Sequence, residues 1–348
     1  MRTRHFSSSN PVPSSERKGP SYAKASEGRH QPVLLHEVLQ ALDVQPDDIV
    51  LDATVGGGGH ARELVKGLGG NGLFIGFDKD ADAIERTRIA LTGCTAPAHL
   101  VLADFRHLES KLAVLGVSRI TKALFDFGWS SYQLDSGRGF SFSASRQSDE
   151  PLLMTYSKVP HAAELTAATI VNTWSERSLA DVIFGFGEEH YARRIAKAIV
   201  AHRSKKPFKT SSELAEVVRL ATPPRYRRSR IHPATRTFQA LRIAVNDELG
   251  ALSEGLGAAW RMLAPGGRVA AISFHSIEDR LVKQTFASWE KSGEGRRISK
   301  KPIPPTSEEV AENPRARSAK LRVIEKLFHE NSHTKDKQVR PLDLSGET

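Results

Sequence analysis

Four times in this sequence an apolar run closes on an aspartate: "DIVLD" at Asp52, "GLFIGFD" at Asp78, "HLVLAD" at Asp104 and "KALFD" at Asp126. Just after the first of them, "VGGGGHA" sets four glycines in a row, Gly56 to Gly59. Carboxylates accept protons and hydrogen bonds and balance cations. A glycine run permits a tight turn and close backbone approach, at an entropic cost that asks for a reason. The spacing Gly56-x-Gly58-x-x-Ala61 also satisfies the dinucleotide pattern G-x-G-x-x-A, in which a helix N-terminus holds a pyrophosphate.

The neighbouring charge argues against a pyrophosphate. Carboxylates gathered in one crevice repel it by on the order of 1–4 kcal/mol per pair at surface-like dielectric. A ligand with a sulfonium, an ammonium and no phosphate is attracted instead, and S-adenosylmethionine is such a ligand. Asp78, 22 residues beyond Gly56, is spaced to accept ribose hydroxyls of either ligand. Asp52, Asp104 and Asp126 therefore carry the discrimination, in favour of the methyl donor.

Specific elements must position these groups. The aspartates lie 26, 26 and 22 residues apart, room for a strand, a helix and two short loops each time. "HARELVKGL", "DADAIERTRIAL" and "FRHLESKLAVL" fill the gaps as helices. Such alternation predicts an α/β fold with a parallel, doubly wound sheet. Ligands of these sheets bind beyond the carboxyl ends of the strands, where strand order reverses. All four aspartates are thus expected to face one crevice, although any single one reads equally well as a helix N-cap.

A fifth strand, "GGRVAAISF" at 266–274, follows the turn-like "LAPGG" about 140 residues after the fourth. The excess predicts an inserted helical subdomain over 141–235. Within it, "EEHYARRIAKAIVAHR" sets Tyr191, Ile195 and Ile199 on one helical stripe, and "TSSELAEVV" carries a capping box from Thr210 to Glu213. One long helix, "FQALRIAVNDELGALSEGLGAAWRML", is expected to return to the sheet, and "KLRVIEKL" reads as a late strand. The catalytic core then spans 30–140 and 236–330, with a disordered basic tail at 1–29 and a flexible tail at 331–348.

The 348 residues carry a net charge of +10, which points to a polyanionic partner. From His190 to Arg242 alone, ten Arg and four Lys face two Glu, a net of +12. The insertion is therefore the expected nucleic-acid surface. The single cysteine, Cys94, excludes an internal disulfide framework and a Cys-rich zinc site, and fits a reducing compartment. No apolar run approaches the roughly 20 residues that span a bilayer. No metal-ligand cluster stands out, and the residue pattern leaves the oligomeric state open, a homodimer included.

Seven blocks in order carry a resemblance: "HQPVLLHEVL", "DATVGGGGHA", "FDFGWSSYQLDSGRGFSF", "FGEEHYARRIAKAIV", "HPATRTFQALRIAVNDEL", "GGRVAAISFHSIEDRLVK" and "ENPRARSAKLRV". Together they make the chain resemble the MraW (RsmH) small-subunit ribosomal RNA methyltransferases from His30 to about Val323. The resemblance implies a class I S-adenosylmethionine-dependent methyltransferase core, Rossmann-like, with an inserted helical subdomain. It implies methylation of the exocyclic N(4) amine of a decoding-centre cytidine in 16S rRNA of the small ribosomal subunit, in the cytoplasm. Matched position by position, the donor contacts implied are Gly58, Gly59, His60, Asp78, Phe105, Asp126 and Gln133.

Two blocks depart from the family. Where it usually reads "LDLGVSSPQLD", this chain has "FDFGWSSYQLD", which brings the flat rings of Trp129 and Tyr132 beside the crevice, to stack on a base or to pack the loop. Where it usually reads "DGPLDMRMD", this chain has "DEPLLMTYS", losing an Asp and an Arg on the substrate side. The amine needs an acceptor that localises its lone pair. Asp126 is the first candidate, with Ser130 and Ser131 beside it, or else Asp126 only orients the donor. His275 in "SFHSIEDR" falls near the same crevice, as a core or loop histidine or as a catalytic one. Two readings compete with rRNA methylation: a methyltransferase of this core acting on DNA or protein, and an inactive RNA-binding assembly factor.

Overall fold

The structure, a computed structural model, describes residues 31–127, 136–141, 150–157, 160, 163–229 and 231–328. Three βα units and a fourth strand open it: β1 Ile49–Asp52 and α2 Gly59–Val65, β2 Leu73–Asp78 and α3 Ala81–Ala90, β3 Ala98–Leu102 and α4 Leu108–Val114, then β4 Ile120–Asp126. A short helix, α1 Leu35–Leu42, precedes them. The sheet continues with β5 Leu263–Ser273, a short β6 Gly295–Arg297 and β7 Lys320–Lys326. Its order is β3-β2-β1-β4-β5-β7-β6, with β7 antiparallel to β5 and β6. Consecutive strands run outward from β1 to β3, and the chain then returns to lay β4 on the other side of β1. The order reverses between β1 and β4, so Asp52 and Asp126 end the two strands flanking the switch point.

Alternating side chains give each strand two buried faces. Leu51, Ile75, Phe125 and Ala271 point into one core, while Val50, Phe74, Leu124 and Ala270 point into the other. The first core is closed by Leu108 and Leu112 of α4, Leu256 and Trp260 of α11 (Glu248–Met262), and Phe286 of α12 (Ser276–Lys291). The second is closed by Val38 and Leu42 of α1, Leu64 of α2 and Ile84 of α3.

Between β4 and β5 the described residues form a helical layer: α5 Ala167–Thr173, α6 Glu176–Gly187, α7 Ala192–Arg203, α8 Ser211–Ala221, α9 Pro224–Arg227 and α10 Thr235–Asn246. It has its own apolar centre, built from Ile170, Leu179, Ile183, Ile195, Ile199, Leu214, Val218, Phe238 and Leu241. The capping box at α8 forms as expected, with Thr210 and Glu213 each accepting from the other's backbone N–H. Glu188, the α6 C-cap, fastens this layer to the sheet domain. Its carboxylate accepts from Ser276 and from Arg280 (2.7 Å) of α12.

Two expectations are corrected. The long returning helix is two helices, α10 and α11, broken at Asp247, whose φ of 45° is left-handed and whose N–H caps the Ile243 carbonyl. Apolar periodicity continues through this break, so the pattern hides it. The "LAPGG" turn lies inside β5 rather than before it: Ile120 and Lys122 of β4 pair with Leu263 and Arg268, so the intervening residues bulge out of register.

A strand-end carboxylate cluster as candidate active site

Three strand ends bring three carboxylates together. Asp52 is 1% exposed, and its Oδ1 accepts from the Thr54 N–H (3.0 Å) while its Oδ2 has no hydrogen-bond partner among the described residues. Burial, then the nearby carboxylates of Asp126 and Asp78, push its carboxyl up to about 7 against the opposing hydrogen bonds from Thr54. Asp78 is raised too, chiefly by burial, although it accepts from Asp80 N–H (2.9 Å) and Gly56 N–H (3.0 Å). Asp126 at the end of β4 donates its N–H to the Thr54 hydroxyl (2.7 Å), so Thr54 bridges the ends of β1 and β4.

The glycine loop joins β1 to α2 under this cluster. Gly56 is left-handed (φ 53°) and is held by the Asp78 carboxylate. The glycines at 58 and 59 answer to protein neighbours as well. A Cβ on Gly58, itself left-handed (φ +77°), would lie 2.9 Å from Ala90 of α3, and one on Gly59 would lie 3.2 Å from Pro32. Helix α3 and the segment before α1 therefore approach because these side chains are missing. His60 follows, buried, with Nε2 at 3.0 Å from the Val33 carbonyl and Nδ1 at 3.6 Å from Asp126 Oδ2.

Asp104 departs from the expected cluster. Burial works to raise its carboxyl, but the Arg106 N–H (3.0 Å) and the Lys79 ammonium (3.1 Å) hold it below the ordinary carboxylate range. It caps the 3₁₀ turn Phe105–His107, the bland role open to any strand-end aspartate. Phe105 in that turn packs edge-on against Phe125 (5.7 Å) and fills the space over Gly255. Ser130, Ser131, Gln133, Trp129 and Tyr132 lie outside the described residues.

The unusual "DEPLLMTYS" block is tied down internally. Glu150 accepts from the Gly139 N–H (2.9 Å). The Tyr156 hydroxyl donates to Glu248 (2.6 Å), whose other oxygen pairs with the buried Arg242 (2.9 Å). The Tyr156 carbonyl accepts from Arg138, and Lys79 lies over its ring (5.6 Å). His275 caps α12 in a second capping box with Glu278. Glu248, His275 and Glu278 sit close enough to share a cation, but the Arg242 guanidinium already supplies positive charge there. None of Tyr156, Arg242 and Glu248 was legible as a network, because the three are far apart in sequence.

The basic segment divides in two. Arg203, Arg227 and Arg236 donate to backbone carbonyls, Arg219 and Lys206 pair with Glu216 and Glu213, and Arg242 is buried. On α7, Arg193, Arg194 and Lys197 are exposed together on one face, and Lys205 follows. Arg228 is exposed, and Arg230 lies outside the described residues.

A doubly wound sheet with a glycine loop and clustered carboxylates at its switch point has the form of a class I methyltransferase. The chain belongs to the MraW methylase family, whose model matches residues 27–327. It is similar to proteins named ribosomal RNA small subunit methyltransferase H. That of Paenibacillus sp. (strain JDR-2) is 44% identical over 321 residues, 86% of this chain and 99% of the relative. That of Symbiobacterium thermophilum is 43% identical over 314 residues, 86% and 96% of the two chains. That of Clostridioides difficile is 41% identical over 317 residues, 86% and 100%. The protein is a methyltransferase, and S-adenosylmethionine is its methyl donor. The site fits that donor chemically, since the orphaned Asp52 oxygen lies beside two further carboxylates, all suited to a phosphate-free cation. No helix among the described residues is long and apolar enough to cross a membrane.

Proposed function

We propose that the chain methylates the N(4) amine of a cytidine in 16S rRNA of the small ribosomal subunit, in the cytoplasm. The observation that carries this reading is the cluster of Asp52, Asp78 and Asp126 around the switch point beside the glycine loop. The names of the relatives supply the substrate class. In this reading Gly58, Gly59, His60, Asp78, Phe105, Asp126 and Gln133 surround the donor, with Asp78 on the ribose hydroxyls. The helical insertion, 141–235, recognises the RNA, and its exposed α7 cations contact phosphates, which position a substrate without reading its sequence.

Bound donor supplies an electrophilic methyl and takes up the electron pair of the breaking carbon–sulfur bond. The cytosine amine is a poor nucleophile because its lone pair is conjugated with the ring. Asp126, with Ser130 and Ser131 beside it, accepts a hydrogen bond that draws that lone pair out of conjugation, and then the proton. A stacked base cannot reach the strand ends, so the nucleotide enters splayed from its neighbours.

A labelled-methyl assay on small subunits, naked rRNA, DNA and protein tests the proposal. Label in small-subunit RNA, mapped to a cytidine N(4), is the expected outcome. Label in DNA or protein, or none at all in the presence of measurable donor binding, overturns it.

A further inference from the structure

Resting on that reading, we propose that His60 is a positioning residue for the departing proton, its Nδ1 directed at Asp126 to take over the proton that Asp126 accepts. The tautomer follows from the partners. A carbonyl oxygen accepts only, so the contact of His60 Nε2 with the Val33 carbonyl (3.0 Å) puts the hydrogen on Nε2. In the neutral ring Nδ1 then carries a bare lone pair, and it faces Asp126 Oδ2 at 3.6 Å. Two lone pairs facing each other in a buried site repel, whereas a proton between them makes a charge-assisted hydrogen bond.

Asp126 does not stand alone at this edge, since Asp52 at the end of β1 interacts electrostatically with both Asp126 and Asp78. The peptide unit whose carbonyl holds Nε2 is itself polarised: its Leu34 N–H donates to Glu309 Oε1 at 2.7 Å, from α13 (Ser307–Glu312). A carboxylate on one end of a peptide strengthens the carbonyl at the other as an acceptor, and so holds the hydrogen of His60 on Nε2. The contact of Pro32 with Gly59 holds the same segment against α2.

The step balances. The amine lone pair forms the new nitrogen–carbon bond as the carbon–sulfur bond breaks with its pair leaving on sulfur. The nitrogen then gives one proton to the Asp126 carboxylate. Transfer to Nδ1 regenerates the carboxylate beside an imidazolium, whose Nε2–H remains on the Val33 carbonyl.

Nitrogen-15 NMR of the histidine-labelled protein, free and donor-bound, reads the tautomer without any RNA. The Nε2–H form at neutral pH is expected, and an Nδ1–H form overturns the proposal. His60→Gln keeps a donor for the Val33 carbonyl and removes Nδ1 (its amide nitrogen stands near Nε2). At saturating donor, its single-turnover transfer should fall about 10-fold or more, with the acid limb of the rate–pH profile moved to lower pH. An unchanged rate and profile overturn the proposal. Glu309→Gln keeps the Leu34 hydrogen bond without the charge and should slow single-turnover transfer severalfold; an unchanged rate in this variant overturns the proposal if His60→Gln does not fold. A wild-type protein that labels no RNA defeats the methylation reading instead, and leaves the tautomer result standing.

Discussion

The carboxyl edge of the sheet and the helical layer each concentrate charge of one sign, and they hold it differently. At the edge, Asp52, Asp78 and Asp126 are buried or half-buried, and the Asp52 Oδ2 has no partner among the described residues. In the helical layer many of the cations are spent on carbonyls and carboxylates of the layer itself, and those left over on α7 are in water. Exposed like charges are screened and cost little, whereas buried ones cost folding free energy unless a ligand compensates them. The difference separates a built site for a small cation from a surface suited to a long polyanion.

The largest effect that sharpens this contrast is expected at Asp126. Asp126→Asn keeps the shape and the N–H bond to Thr54, yet should lower single-turnover transfer about 100-fold or more. Transfer within threefold of wild type would remove Asp126 from the proton path. Next comes Asp78→Ala, expected to weaken donor affinity by about 10- to 150-fold, the loss of charged hydrogen bonds worth roughly 1.5–3 kcal/mol. Calorimetry on a variant with native circular dichroism checks it, and unchanged affinity refutes the ribose role.

Asp52 gives a pH signature. The folded protein holds the Asp52 proton up to about pH 7, while an ordinary aspartate releases it near 3.8. Its contribution to stability is therefore full below 3.8 and is lost as pH rises through that window. Asp52→Asn should gain in melting temperature over wild type as pH climbs from 5 to 8. A bound cation favours the ionised form, so wild-type donor affinity should rise about tenfold between pH 6 and 8, and stay flat in the variant. Parallel curves would break the link between the buried charge and the donor. The smallest effect belongs to the α7 face. Replacing Arg193, Arg194 and Lys197 by Ala should reduce the salt dependence of RNA binding by about 0.7–0.9 for each phosphate no longer neutralised, with donor affinity intact. An unaltered salt slope would move the RNA surface elsewhere.

Local pattern was enough for the parts of the fold that repeat. The spacing of Asp52, Asp78 and Asp126 marked three strand ends, Asp104 fell two residues past the end of β3, and the Thr210–Glu213 box marked a helix start, because each depends on neighbours in the chain. It failed at Asp247, where a left-handed residue splits an apolar repeat that runs on unbroken, and at the β5 bulge. It also treated all four aspartates alike. Only the folded chain shows Asp104 neutralised by Lys79 and Arg106, and Arg227 committed to carbonyls rather than to solvent.

Apolar period, turn residues and collinear motifs, all local in the chain, thus determined the class of sheet, the family and the residue types at its carboxyl edge. Which carboxylates are neutralised, which way His60 turns and which cations stay in water were decided by the tertiary structure. Burial and hydrogen bonding set the cost of each charge, and the deciding partners are distant in the chain: Val33 for His60, Lys79 for Asp104, Glu248 for Arg242.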